Sequence, residues 1–132
     1  MPIIATDKQR FSNVVKHEYE PTLAFCRAVV TANEAAATDY AIGTVLGKIT
    51  ASGKYVVAKE TATDGSKVPA AVVLEDKSIA AATDTKVLVA VRGPMIVSKA
   101  GIALDATYDN AAKKATALAA LEALGILVND AV

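Results

Sequence analysis

Residues 62–94 read ATDGSKVPAAVVLEDKSIAAATDTKVLVAVRGP, and the exchange there between turn residues and valine-rich runs sets the chain down as a β protein. Thr63-Asp64-Gly65-Ser66 spells a turn, with Gly65 free to take positive φ and Asp64 able to accept hydrogen bonds from the local backbone. Pro69 opens a strand at a position where no ladder donor is lost, and residues 70–74 (AAVVL) form an apolar run suited to burial on both faces. Glu75 and Asp76 end that run in solvent. After a small polar link at 80–85, residues 86–91 (KVLVAV) give a second valine-rich strand, stopped by Arg92-Gly93-Pro94. Two adjacent strands joined by a loop are expected.

Outward from this spine, residues 41–50 (AIGTVLGKIT) and 54–59 (KYVVAK) flank Ala51-Ser52-Gly53 and read as a hairpin. The segment 43–50 has the flavour of a phosphate loop. However, GTVLGKIT has one spacer too few between its glycines and Ile49 where Ser or Thr should follow the lysine, so nucleotide binding is set aside. Residues 22–31 (TLAFCRAVVT) are strand-like, with Leu23, Phe25 and Val29 on one side and Cys26 on the opposite face or at an edge. Beyond the spine, 95–97 and 102–104 continue short strand-like pieces around Lys99-Ala100-Gly101. Asp109-Asn110 can cap a helix over 111–124, with Leu118, Leu121 and Leu124 on one stripe and Gly125 as its stop; 126–128 is a final strand.

The 132 residues (13.6 kDa) suit one domain. The 53% hydrophobic fraction is largely alanine and valine, with no Trp, which favours thin β layers over a deep cofactor pocket, and no cofactor is expected. Fourteen basic and fourteen acidic side chains cancel, leaving no general attraction to nucleic acid. No apolar run reaches the roughly 20 residues that cross a bilayer, so no membrane partner is expected. The start MPIIATDKQRF lacks the order of a signal peptide.

No grouping assembles a reaction. Cys26 is the single cysteine and His17 the single histidine, too few soft ligands for a metal and no fixed pair for nucleophilic catalysis. Glu75 and Asp76 are adjacent and point to opposite faces of a strand. Asp64, Asp84, Asp105 and Asp109 each lie beside small or turn-forming residues, which suits capping and turns better than calcium. Catalytic, cofactor and metal residues are therefore expected to be absent. Residues 1–21 mix short apolar pairs with single aromatics and show no sustained period, and they read as an extended arm that orders on a partner.

The order TDGS, VPAAVVLED, TDT and VLVAVRG, closed by LAALEALGILV, resembles the head decoration proteins of tailed bacteriophages, the group typified by the D protein of phage lambda. The resemblance runs from about residue 43 to the C-terminus. It implies a mainly β, α+β fold with a short C-terminal helix, a β-tulip-like body over 22–132 and a capsid-binding arm over 1–21. It also implies a homotrimer on the outside of an expanded head, bound to the major capsid protein at three-fold and quasi-three-fold positions and stabilising it against internal DNA pressure. Such a protein is not an enzyme; it is made in the host cytoplasm and carried on the virion. The family's arm role applies to the region alone, and Ile3, Ile4, Phe11, Val14, Val15 and Tyr19 are the apolar and aromatic side chains the region offers for contact. Two other readings fit the composition: a tail or spike module, though no internal repeat is present, and a small ligand-binding or catalytic β domain.

Overall fold

The computed structural model describes residues 14–19, 25–99 and 101–129. In chain order the strands are β1 (Val15–Glu18), β2 (Arg27–Ala32), β3 (Thr38–Tyr40), β4 (Val45–Lys48), β5 (Tyr55–Val57), β6 (Pro69–Val73), β7 (Lys77–Ile79), β8 (Thr85–Ala90), β9 (Met95–Ser98) and β10 (Ile126–Asn129). Helix α1 (Ala111–Ala123) precedes the last strand. The protein is thus mainly β with a short C-terminal helix.

Five strands close a barrel in the order β2-β5-β4-β6-β8. The hairpin expected around Gly53 is its β4–β5 edge, with Leu46 opposite Val57 and Lys48 opposite Tyr55, and Gly53 sits at φ 72°. The two valine-rich strands of the spine are the neighbours β6 and β8, paired antiparallel through Val72↔Ala90 and Val73↔Val89. Ahead of β6 the turn at 63–66 forms as its residues dictate: Gly65 takes φ 98°, and Asp64 accepts from the Ser66 backbone N–H at 3.1 Å and its hydroxyl at 2.5 Å.

Alternation along the barrel strands sorts side chains into two cores. Ala32, Leu46, Ala71, Val73, Val87 and Val89 face inward, where Tyr40 and Ile79 join them from the β3–β7 ribbon. On the other side of the same strands, Val45, Val72, Leu74 and Ala90 meet Met95 and Val97 of β9, Ile126 of β10 and Leu121 of α1. Strand β6 is therefore buried on both faces, which explains its uninterrupted apolar spelling.

The helix begins and ends where its caps put it. Asn110 is extended (φ −139°, ψ 168°) and its Oδ1 accepts from the Lys113 N–H at 2.9 Å, while Gly125 leaves the helix at φ 88°. Leu121 is fully buried with Ala117 beside it, and Leu118 and Leu124 pack at the margin of the core. Gly125 also lies against Gly93, whose Cβ, if it had one, would fall 1.8 Å from the Gly125 carbonyl oxygen. The Gly93–Pro94 peptide bond is cis.

Four expectations need correction. Residues 14–19 belong to the body, not to an arm reaching residue 21 with the body starting at 22: β1 pairs antiparallel with β9, and Val14 and Val15 are 0% and 8% exposed. The strand expected over 22–31 starts at Arg27, although Phe25 and Val29 do lie exposed on the side away from buried Cys26, as expected. Residues 102–104 make only a single bridge, Ala103 to Thr44. Finally, the link at 80–85 is preceded by β7, which the sequence reading left out.

Candidate functional site

The three-stranded sheet β1-β9-β10 organises the surface features. Strand β1 runs antiparallel and β10 parallel to the central β9, so both neighbours can be placed by register. At one end Val15 lies opposite Val97 and Asn129 opposite Ser98; at the other Glu18 and Ile126 both lie opposite Met95. The chain enters the described body and β10 finishes at the same end.

Of the six side chains the sequence offers for partner contact, Ile3, Ile4 and Phe11 lie outside the described residues. Val14 and Val15 are built into this protein's own core and present no contact surface, a correction that follows from their pairing against β9. Tyr19 is 46% exposed at the far end of β1. Its ring meets Phe25 edge-on at 5.4 Å and 83°, and the Arg92 guanidinium stands 5.5 Å from the Phe25 centroid while donating to the Phe25 carbonyl at 2.6 Å. The structure therefore separates Tyr19 from the entry of the chain by the length of β1.

Beside this aromatic group, Glu18 accepts from Arg27 Nε at 2.6 Å and Nη2 at 2.7 Å, with only 5% of the Glu18 side chain exposed. This fork-to-carboxylate hydrogen bond raises the Arg27 pKa further above its ordinary value, against the opposing effect of burial. It ties the end of β1 to the barrel.

The cysteine, histidine and carboxylates have local duties. The Cys26 thiol is buried and donates towards the carbonyls of Tyr19 (3.6 Å) and Pro94 (3.5 Å), which keeps it a packed thiol. His17 lies on exposed β1 opposite Ile96. Glu75 accepts from the Leu88 N–H of β8 and Asp76 from the Ile42 N–H of the β3–β4 link, each at 3.1 Å, so these neighbours act on different segments. Asp105 closes its own turn on Thr107, Asp109 pairs with Lys113, and Asp84 joins Asn33 and Lys54. Tyr40 donates to the Glu34 carboxylate, and burial first, then that carboxylate, pushes its phenol far above the ordinary range. Among the described residues no three His, Cys, Asp or Glu side chains cluster to hold a metal, and no helix is long and apolar enough to cross a membrane.

A groove of about 350 Å³ lies between α1 and the segment after β9, lined by Lys99, Ile102, Ala103, Leu104, Lys114 and Leu118. It escapes a reading of the sequence because Lys99 and Lys114 are far apart in the chain and meet only when Ala103 bridges to Thr44 and α1 packs beneath. The segment is held there by Val45 N–H to Ala103 O at 3.2 Å and Ala103 N–H to Gly43 O at 2.8 Å.

The barrel is thus buttressed by a second sheet that carries the Tyr19–Phe25–Arg92 group at one end and the groove near the other. The family model of the bacteriophage lambda head decoration protein D matches residues 4–126, and the chain belongs to that family. The family consists of structural phage capsid proteins; the role is decoration of a phage head and the location is the virion capsid. No curated protein matches the chain.

Proposed function

We propose that the protein is a cement protein of the expanded phage head, in which three copies with β-tulip bodies bind the major capsid protein at three-fold and quasi-three-fold positions. The observation that carries this reading is the family match over nearly the whole chain, residues 4–126. The task is mechanical: each trimer joins several shell subunits, so that internal DNA pressure must break several contacts at once. Tethering three weak attachments raises the effective concentration of each for the others and slows release. Synthesis in the host cytoplasm precedes assembly on the shell.

The arm in this proposal is residues 1–13, because residues 14–19 are part of the body. Its candidate contact residues are Ile3, Ile4 and Phe11. The buried anchor of Val14 and Val15 supports the division, since a segment that carries load needs a root in the folded body.

Co-sedimentation with expanded heads of the source phage tests the reading, comparing the full chain with residues 14–132 and measuring mass by light scattering. Saturable binding in multiples of three, lost or much weakened on truncation, is the expected result. No binding by the full chain refutes cementing, and equal binding by both chains refutes the role of the arm.

A further inference from the structure

The groove between α1 and the segment after β9 carries a chemistry that the family role does not assign. Its floor is aliphatic: Ile102, Leu104 and Leu118 pack on the main core from one side and line the groove on the other. Its rims are cationic and exposed, Lys99 from one side and Lys114 from the other. Neither ammonium group has a carboxylate partner among the described residues. Asp105, next to Leu104 in the chain, is committed to Thr107, and Asp109, ahead of the helix, to Lys113.

Lys114 is placed against its own helix. It lies in the first turn of α1, where the exposed N–H groups concentrate positive charge and a cation is disfavoured, and that turn holds no acidic residue. A carboxylate brought to this end of the helix would be favoured by both the lysine and the free N–H groups.

The groove also shares an end of the molecule with the root of the proposed arm. Lys99 follows Ser98 at the end of β9 that faces Val15, and Gly101 packs on Gly43, where Val14 Cγ2 would lie 3.3 Å from an added Cβ. The groove therefore lies beside the root of the proposed arm.

We infer that the groove is a second shell contact, which receives an acidic-aliphatic segment of the capsid protein: carboxylates on Lys99 and Lys114, and an aliphatic side chain on the Ile102–Leu104–Leu118 floor. This rests on the cement reading. Two modest charge pairs per copy, multiplied over three tethered copies, bind firmly although each is weak alone.

The test uses full-length protein on expanded heads, with K99Q/K114Q beside wild type and a carbodiimide that joins only amines and carboxylates in contact. Unchanged circular dichroism and melting of the variant would show that these exposed substitutions leave the fold intact. The expected result is about tenfold or greater weakening of K99Q/K114Q, with Lys99 or Lys114 cross-linked to Asp or Glu of the capsid protein. Equal binding by the two forms, or cross-links from these lysines to another copy of this chain, overturns the inference while leaving cementing in place. Failure of wild type to bind removes the cement reading and the groove's partner together.

Discussion

Replacing Arg27 with methionine tests how β1 is held to the barrel. The Glu18 carboxylate keeps only 5% of its exposure and accepts both its close hydrogen bonds from one guanidinium. Removing one partner of a fully buried pair costs about 3–5 kcal/mol, because the remaining charge is stranded. Arg27 retains 28% side-chain exposure, so water reaches the site and the loss falls to about 2–3 kcal/mol. For a chain of this length the unfolding entropy is about 0.28 kcal/mol per degree, which converts the loss into a Tm lower by roughly 7–11 °C. Thermal and urea melts of R27M, E18Q and E18Q/R27M at pH 7 would measure it. Since the penalty comes from an uncompensated charge, the double variant should be more stable than R27M, with a coupling of at least about 1 kcal/mol. An R27M loss below about 0.5 kcal/mol, or a double variant equal to the sum of the singles, would show that the pair is an ordinary surface contact and that β1 is held by burial alone.

Three further outcomes are expected. Cutting the chain before residue 20 should cost about 3–6 kcal/mol more than cutting it before residue 14, since the longer cut strips two buried valines from the core; urea midpoints of the two truncated chains decide it. Gly47→Ala should lose about 2–4 kcal/mol, because the new methyl would stand 1.9 Å from the Ser66 carbonyl oxygen and meet backbone that cannot swing aside; a Tm within 2 °C of wild type would count against that close approach. Asp84 is held below the usual carboxylate range by the Asn33 hydrogen bond and then by Lys54. A depressed carboxyl stabilises above its unfolded pKa and ceases to as pH falls through the folded one, so the advantage of wild type over D84N should be full at pH 6 and shrink below about pH 4.

The parts of the fold legible in the sequence are those whose signals are local. Gly53 and Gly65 take the positive φ their turns need, Asn110 and Gly125 bound the helix, and the double-sided burial of β6 shows in its unbroken apolar run. What stayed hidden depends on partners far along the chain. Strand β1 has the sequence VKHE, and its burial comes from β9, some eighty residues later. Strands β3 and β7 bring one buried side chain each, Tyr40 and Ile79, too few to show alternation. The two sides of β2 were legible, with Phe25 and Val29 opposite Cys26, but which side is buried was not: the closed barrel takes Val30 and Ala32 towards its small interior and leaves the bulkier Val29 64% exposed. Of the candidate contact residues, periodicity could not separate Val14 and Val15 from the arm, because an apolar pair at the mouth of a strand spells the same as one in a free segment.

The orientation of β1 determines how the body answers a pull. A load applied at residue 13 along the strand axis does not open the β1–β9 ladder one rung at a time; it shears all of its bonds together. The forked Glu18–Arg27 tie lies at the opposite end of the strand from the load, so it works as an end-stop: β1 cannot slide until the salt bridge parts and Val14 and Val15 leave the core in the same movement. A strand rooted this way yields abruptly and late, and any load placed on residue 13 is spread along its whole length from the first moment.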